Sequence, residues 1–157
     1  MLAAAVSELY SQAKVTVEKA IEGFGVKADA VRVAQDDTQT AWSLMRGSAL
    51  TLISVVVRED GVFMRVVCPV MTLPTEADKK AALFQRLLEL NASAVVGTSA
   101  FGLATDRVVV VSERPAKGLD QEEAAFSIKR ASAVADTFDD RLVKEFGGKR
   151  ASDAQSA

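Results

Sequence analysis

Val6, Leu9, Tyr10, Ala13, Val17, Ala20, Ile21 and Phe24 recur three and four residues apart, with Glu8, Gln12, Lys14, Glu18, Lys19 and Glu22 between them. That period gathers the apolar side chains along one stripe of an amphipathic helix. Gly23 and Gly25 end it. After a polar turn at 35–39 the period falls to two and predicts strands at 41–46, 49–58 and 62–73. Gly47 separates the first two, and Glu59-Asp60-Gly61 joins the next two as a hairpin, since Asp-Gly tolerates the positive φ of a tight turn. Pro69 has no N–H to give a ladder, which puts it at an edge or a bulge. Pro74 and the capping sequence Thr75-Glu76-Ala77-Asp78 open a second helix with Leu83, Phe84, Leu87 and Leu88 on its stripe, stopped near Asn91. Strands at 94–104 and 107–113 follow, turning at Thr105-Asp106. Asp120-Gln121-Glu122-Glu123 then caps a third helix that carries Phe126, Ala131, Val134, Ala135, Phe138, Leu142 and Phe146 on one side and stops at Gly147-Gly148. Residues 1–148 read as one domain, and the small, polar 149–157 as a disordered C-terminal tail.

The order helix, three strands, helix, two strands, helix, with hairpin-length links, defines an α+β class with a mainly antiparallel sheet. Strands 49–57 and 62–71 are largely apolar on both faces: Leu50, Leu52 and Val56 against Thr51, Ile53, Val55 and Val57, and Val62, Met64, Val66 and Cys68 against Phe63, Val67 and Met71 around Arg65. An antiparallel sheet with one wet face alternates apolar and polar. This sheet is therefore expected to be covered on both sides, by its own helices or by a second copy of the chain.

Composition narrows the chemistry. The 157 residues are 49% hydrophobic and 25% charged, long enough to bury a core, and 19 basic against 21 acidic side chains leave a net charge of −2. No excess of cations attracts nucleic acid or an anionic membrane surface, and no apolar run approaches a membrane span. The apolar opening 1–6 lacks a basic flank and ends at Glu8, unlike a secretory leader. There is no histidine. Imidazole-based catalysis and imidazole zinc sites are excluded. The single cysteine, Cys68, lies in an apolar run and reads as a buried, inert thiol in a cytoplasmic protein.

Three constellations merit weighing. Gly97-Thr98-Ser99-Ala100-Phe101-Gly102 has the outer spacing of a phosphate loop, but Leu103-Ala104 stands where Lys-Ser/Thr is required. Asp136, Asp139 and Asp140 are the densest acidic group; 136 and 140 share a helix face, yet two ligands from one helix do not make a metal site, and a solvated face with a nearby arginine such as Arg114 fits better. Trp42, Arg46, Phe63 and Arg65 mix aromatic and guanidinium groups within two strands, the composition of protein-binding surfaces. Alternation puts Trp42 with Arg46 and Phe63 with Arg65, and the two pairs form one partner-binding patch if the register brings their faces together. The alternative is that the aromatics are core residues. No catalytic, cofactor-binding or metal-binding residue is assigned.

The segments Trp42-Ser43-Leu44-Met45-Arg46-Gly47-Ser48-Ala49, Phe63-Met64-Arg65-Val66, Cys68-Pro69-Val70, Leu87-Leu88-Glu89-Leu90-Asn91 and Ala135-Asp136 with Asp139-Asp140-Arg141-Leu142 resemble, in this order, the YbjN family, described as bacterial sensory transduction regulators. The likeness runs from about residue 30 to 148. It implies the fold of type III secretion chaperones, and with it a non-enzymatic homodimer that binds a protein or peptide partner. A small-ligand sensor, and less so an enzyme built on carboxylates, stand as the alternatives.

Overall fold

The computed structural model describes residues 2–154. The elements are α1 (Leu2–Glu22), α2 (Ala28–Val31), β1 (Arg32–Gln35), β2 (Gln39–Arg46), β3 (Ala49–Arg58), β4 (Gly61–Thr72), α3 (Ala77–Ala92), β5 (Ala100–Ala104), β6 (Arg107–Pro115), α4 (Gln121–Phe146) and α5 (Ala151–Ala154). The strands form one six-stranded sheet in the order β1-β2-β3-β4-β6-β5. Every pairing is antiparallel.

α1 and α4 pack on each other and on the middle strands. The sheet face beneath them is Trp42 and Leu44 of β2, Ile53 and Val55 of β3, Met64 and Val66 of β4, and Val108 and Val110 of β6, all buried. Ile21, Leu83, Ile128 and Leu142 close the core from the helix side. α3 packs beside β5 and α4. The capping box at the start of α4 forms as its sequence predicts: Glu123 N donates to the Asp120 side chain at 2.8 Å and Asp120 N to Glu123 at 3.2 Å. The one expected on α3 does not. Its N-cap is Glu76, whose carboxylate takes Lys79 Nζ at 2.9 Å instead, and that bond holds it down to about 2.

Several expectations are corrected. Short apolar content hid α2 and β1; β1 is an edge strand pinned by the Asp36 turn, where Asp36 Oδ1 accepts from the backbone N–H groups of Thr38 and Gln39. The predicted strand at 94–104 shrinks to Ala100–Ala104, because the preceding residues turn back on themselves, Ser99 N donating to Val96 O. Pro69 does sit at an irregularity, where the β4–β6 register shifts between Pro69 and Met71. Cover of both sides by the protein's own helices is not found. The long helices α1 and α4 lie on one side only, leaving Leu52 and Met45 exposed on the other. After α4 the chain runs back beside the end of β4: Thr72 N donates to Lys149 O, Arg150 bridges to Met71, and Ala151 is buried. Residues 155–157 of the expected tail lie outside the described residues.

Candidate functional site

The open face of the sheet carries an apolar band. Register aligns Ser43 with Leu52, Val67, Val111 and Ala100 across five strands, and Met45 with Leu50 in the next row, where Pro69 lies opposite Val109 and Gly102. In this band Leu52 and Met45 are exposed, Leu50, Val67, Pro69 and Val111 are half-buried and Val109 is buried, with Ser43, Ala100 and Gly102 completing it. At its border the row Ser54–Arg65–Glu113 brings charge. Arg58 donates two hydrogen bonds to the Glu113 carboxylate, at 3.0 and 2.5 Å, and Arg65 one at 2.6 Å. The Arg58 guanidinium also lies over the Phe63 ring, 4.6 Å from its centre. These hydrogen bonds, that from Arg58 first, hold Glu113 below the usual carboxylate range. Two guanidinium groups share the Glu113 carboxylate, and the charge of Asp60 also acts on Arg58.

The four residues singled out in the sequence do not form one patch. β2 pairs with β3 so that Trp42 faces Ile53, and β3 pairs with β4 so that Ile53 faces Val66; Phe63 and Arg65 fall on the opposite face. Trp42 is fully buried beneath the helices, its Nε1 without a hydrogen-bond partner. Arg46 turns the same way, its Nε donating to Ser132 Oγ at 3.2 Å and its guanidinium 4.3 Å from the Phe24 ring centre. Only Phe63 and Arg65 belong to the open face. Alternation within a strand was legible; the register between strands, which decides convergence, was not.

The acidic group on α4 holds the β2–β3 hairpin. Ser48 N and Ser48 Oγ donate to Asp136 Oδ1 at 2.7 and 2.6 Å, and Ser48 Oγ lies 2.8 Å from Asp139 Oδ2. Those bonds hold the Asp136 carboxyl below its ordinary value. Gly47 at φ +61° passes so near that a Cβ there would meet Asp136 Oδ1 at 2.7 Å. Asp140 pairs with Arg150 at 3.1 Å, while Arg114 goes to Glu123. No cluster of three or more metal-ligating side chains occurs among the described residues. Cys68 is buried with Sγ 3.7 Å from Thr51 Oγ1, and burial pushes its thiol up to about 11.

Two residues that sequence reasoning passed over organise the edge. Asn91, read there as a helix stop, donates from Nδ2 to Phe101 O at 3.0 Å and accepts from Phe101 N at 2.7 Å. Its side-chain amide thus replaces a neighbouring strand along β5 and ties α3 to the sheet. Glu113 became visible only through the register that sets it beside Arg65. Clefts open to the surface, two of about 630 Å³ each, lie between β6 and α4 and between the end of β4 and the chain after α4.

Known structures share this architecture. A chain of the structure entitled "Crystal Structure of the ExsC-ExsE Complex" superposes with a TM-score of 0.61 at 14% identity, covering 84% of this chain and 94% of that one. The heterodimeric complex ExoU-SpcU from the type III secretion system of Pseudomonas aeruginosa gives 0.54 at 15% identity, with 82% and 96% covered. The HopA1-SchA chaperone-effector complex gives 0.53 at 11%, with 88% and 96% covered. At such identities the likeness concerns fold: this is the α+β fold of type III secretion chaperones. No curated protein sequence matches. Over residues 12–154 the chain matches TY-Chap1, "T3SS (YopN, CesT) and YbjN peptide-binding chaperone 1", and it belongs to that family. It is accordingly a peptide-binding chaperone by family and not an enzyme. No helix among the described residues is long and apolar enough to cross a membrane.

Proposed function

We propose that the chain acts as a homodimer that holds an extended segment of a protein partner on the open face of its sheet. The observation that carries this is the uncovered apolar band, in which Leu52, 38% exposed, stands beside the half-buried Val67 and Val111 in the middle of a sheet whose other face packs under α1 and α4. Apolar surface of this kind marks a binding face. Phe63 and Arg65 flank it, and the half-exposed guanidinium groups of Arg58 and Arg65 offer hydrogen-bond donors to an acidic residue beside the apolar ones of a partner segment. Clefts open to the surface favour a chain segment over an enclosed small ligand.

Self-association is assigned to the outer side of α3 and β5, where Leu88, Val95 and Leu103 are exposed on neighbouring elements. A lone, buried thiol fits the reducing cytoplasm. A regulator of bacterial signal transduction would act by setting how much of its partner is free.

The test is affinity capture from the native cell with the wild-type chain and with a Leu52→Asp, Val67→Asp double variant, followed by mass spectrometry. A recurrent partner captured by the wild type and lost by a variant of unchanged melting temperature supports the reading. Full capture by the variant removes the open face from consideration and turns attention to α3 and the segment before it. Light scattering that shows a monomer at high micromolar concentration refutes the homodimer.

A further inference from the structure

β5 is shorter than β6. Its residues pair with Arg107 through Val111, and the chain before Ala100 turns away, so 112–115 of β6 pair with β4 alone. Strand alternation tells which backbone groups face the open side. Ala116 N donates to Val62 O, so the even-numbered residues of β6 address β4. Phe101, opposite Val110, spends its N–H and C=O on Asn91, outside the β5–β6 ladder, which gives the same phase from the other side. The N–H and C=O of Glu113 and the C=O of Pro115 therefore point away from β4, and no hydrogen bond to them occurs among the described residues. They open on a cleft of about 630 Å³ whose walls include Thr98, Glu122, Phe126 and Ser127. Phe126 is 57% exposed there, although it is aromatic and α4 is otherwise well packed.

We propose that this edge is a strand-addition site: an extended peptide segment of about four residues lies antiparallel to 112–115, in line with β5. It receives the Glu113 N–H, donates to the carbonyls of Glu113 and Pro115, and lays an apolar side chain against Phe126. Unpaired main-chain groups call for another main chain as occupant, which a small apolar ligand cannot supply. The carboxylates of Glu113, Glu122 and Glu123 are balanced by the guanidinium groups of Arg58 and Arg65, both on Glu113, and of Arg114, which binds Glu123 at 3.0 Å. The segment is therefore apolar, and a lysine in the probe below supplies solubility only. This rests on the peptide-binding reading above but locates a second contact, distinct from the open face.

The experiment uses the full chain labelled with ¹⁵N and, as probe, a pool of acetylated, amidated pentapeptides built from Val, Phe and Lys. The Glu113 amide should exchange rapidly with solvent in the free protein and at least tenfold more slowly with the pool at millimolar concentration. Phe126→Ala, at an exposed position, should weaken binding about tenfold, and a pool N-methylated at alternate residues should lose the protection. Leu52→Asp should leave it intact. Shifts at Leu52 and Val67 with none at Glu113 overturn the edge site while the open-face reading stands. Protection of Glu113 that rises with protein concentration alone shows a second copy on the edge and also overturns it, as does the absence of any response to the pool.

Discussion

Replacing Asn91 by alanine removes both hydrogen bonds that its amide makes to Phe101, at 3.0 and 2.7 Å, and leaves the N–H and C=O of an edge residue without a protein partner. A hydrogen bond of this kind contributes a net 0.5–1.5 kcal/mol, so the pair amounts to about 2 kcal/mol. Alanine is the better helix former by roughly 0.5 kcal/mol, and position 91 lies in the last turn of α3, which offsets part of the loss. The expected destabilisation is therefore about 1.5 kcal/mol. For a chain of this size that corresponds to a melting temperature lower by about 3–6 °C. Urea titration followed by tryptophan fluorescence measures it, with the midpoint falling at unchanged slope. Hydrogen exchange at the Phe101 amide supplies the local readout, since only that N–H loses its acceptor directly. Asn91→Asp keeps the acceptor for Phe101 N but sets a carboxylate against Phe101 O, and should be no more stable than the alanine variant. A change below about 0.5 kcal/mol with undiminished protection at Phe101 would refute the role given to Asn91 as a strand surrogate.

Trp42→Ala, at a fully buried position, should cost roughly 3–5 kcal/mol in chemical denaturation, whereas Arg65→Ala should cost under about 1 kcal/mol because its bond to Glu113 is exposed; the reverse order would contradict the assignment of the two faces. Cys68 should resist thiol reagents at pH 8 until the chain unfolds, since its thiol is buried and raised to about 11; labelling at the rate of a free thiol would place it outside the core. Asp136 and Glu113 are both held below their ordinary values, so their contribution to stability is fully present above the unfolded value near pH 4 and is lost as the pH falls through the depressed ones. Urea midpoints should drop across that window, and Ser48→Ala should flatten the part due to Asp136; a pH-independent midpoint between 6 and about 2.5 would contradict both contacts.

Local pattern determined much of this protein. The periods of α1, α3 and α4, the hairpin turns at Glu59-Asp60-Gly61 and Thr105-Asp106, the capping box at Asp120 and the irregularity at Pro69 are each set by a handful of adjacent residues, and they suffice for the α+β class and the order of the principal elements. Absence of histidine excluded whole classes of chemistry with no structure at all. The site was different. Whether Trp42 and Phe63 share a face depends on how β3 sits between their strands, a one-residue matter that inverts every side chain and that no single strand encodes. The tertiary structure alone decided that the helices gather on one side and leave Leu52 and Met45 exposed, that Glu113 meets Arg58 and Arg65, and that Asp136 receives Ser48 from 88 residues away. It also tied Lys149 and Arg150 to the end of β4, in a segment whose composition reads as tail. Such contacts join groups far apart along the chain, and their partners are chosen by packing geometry rather than by the residues beside them.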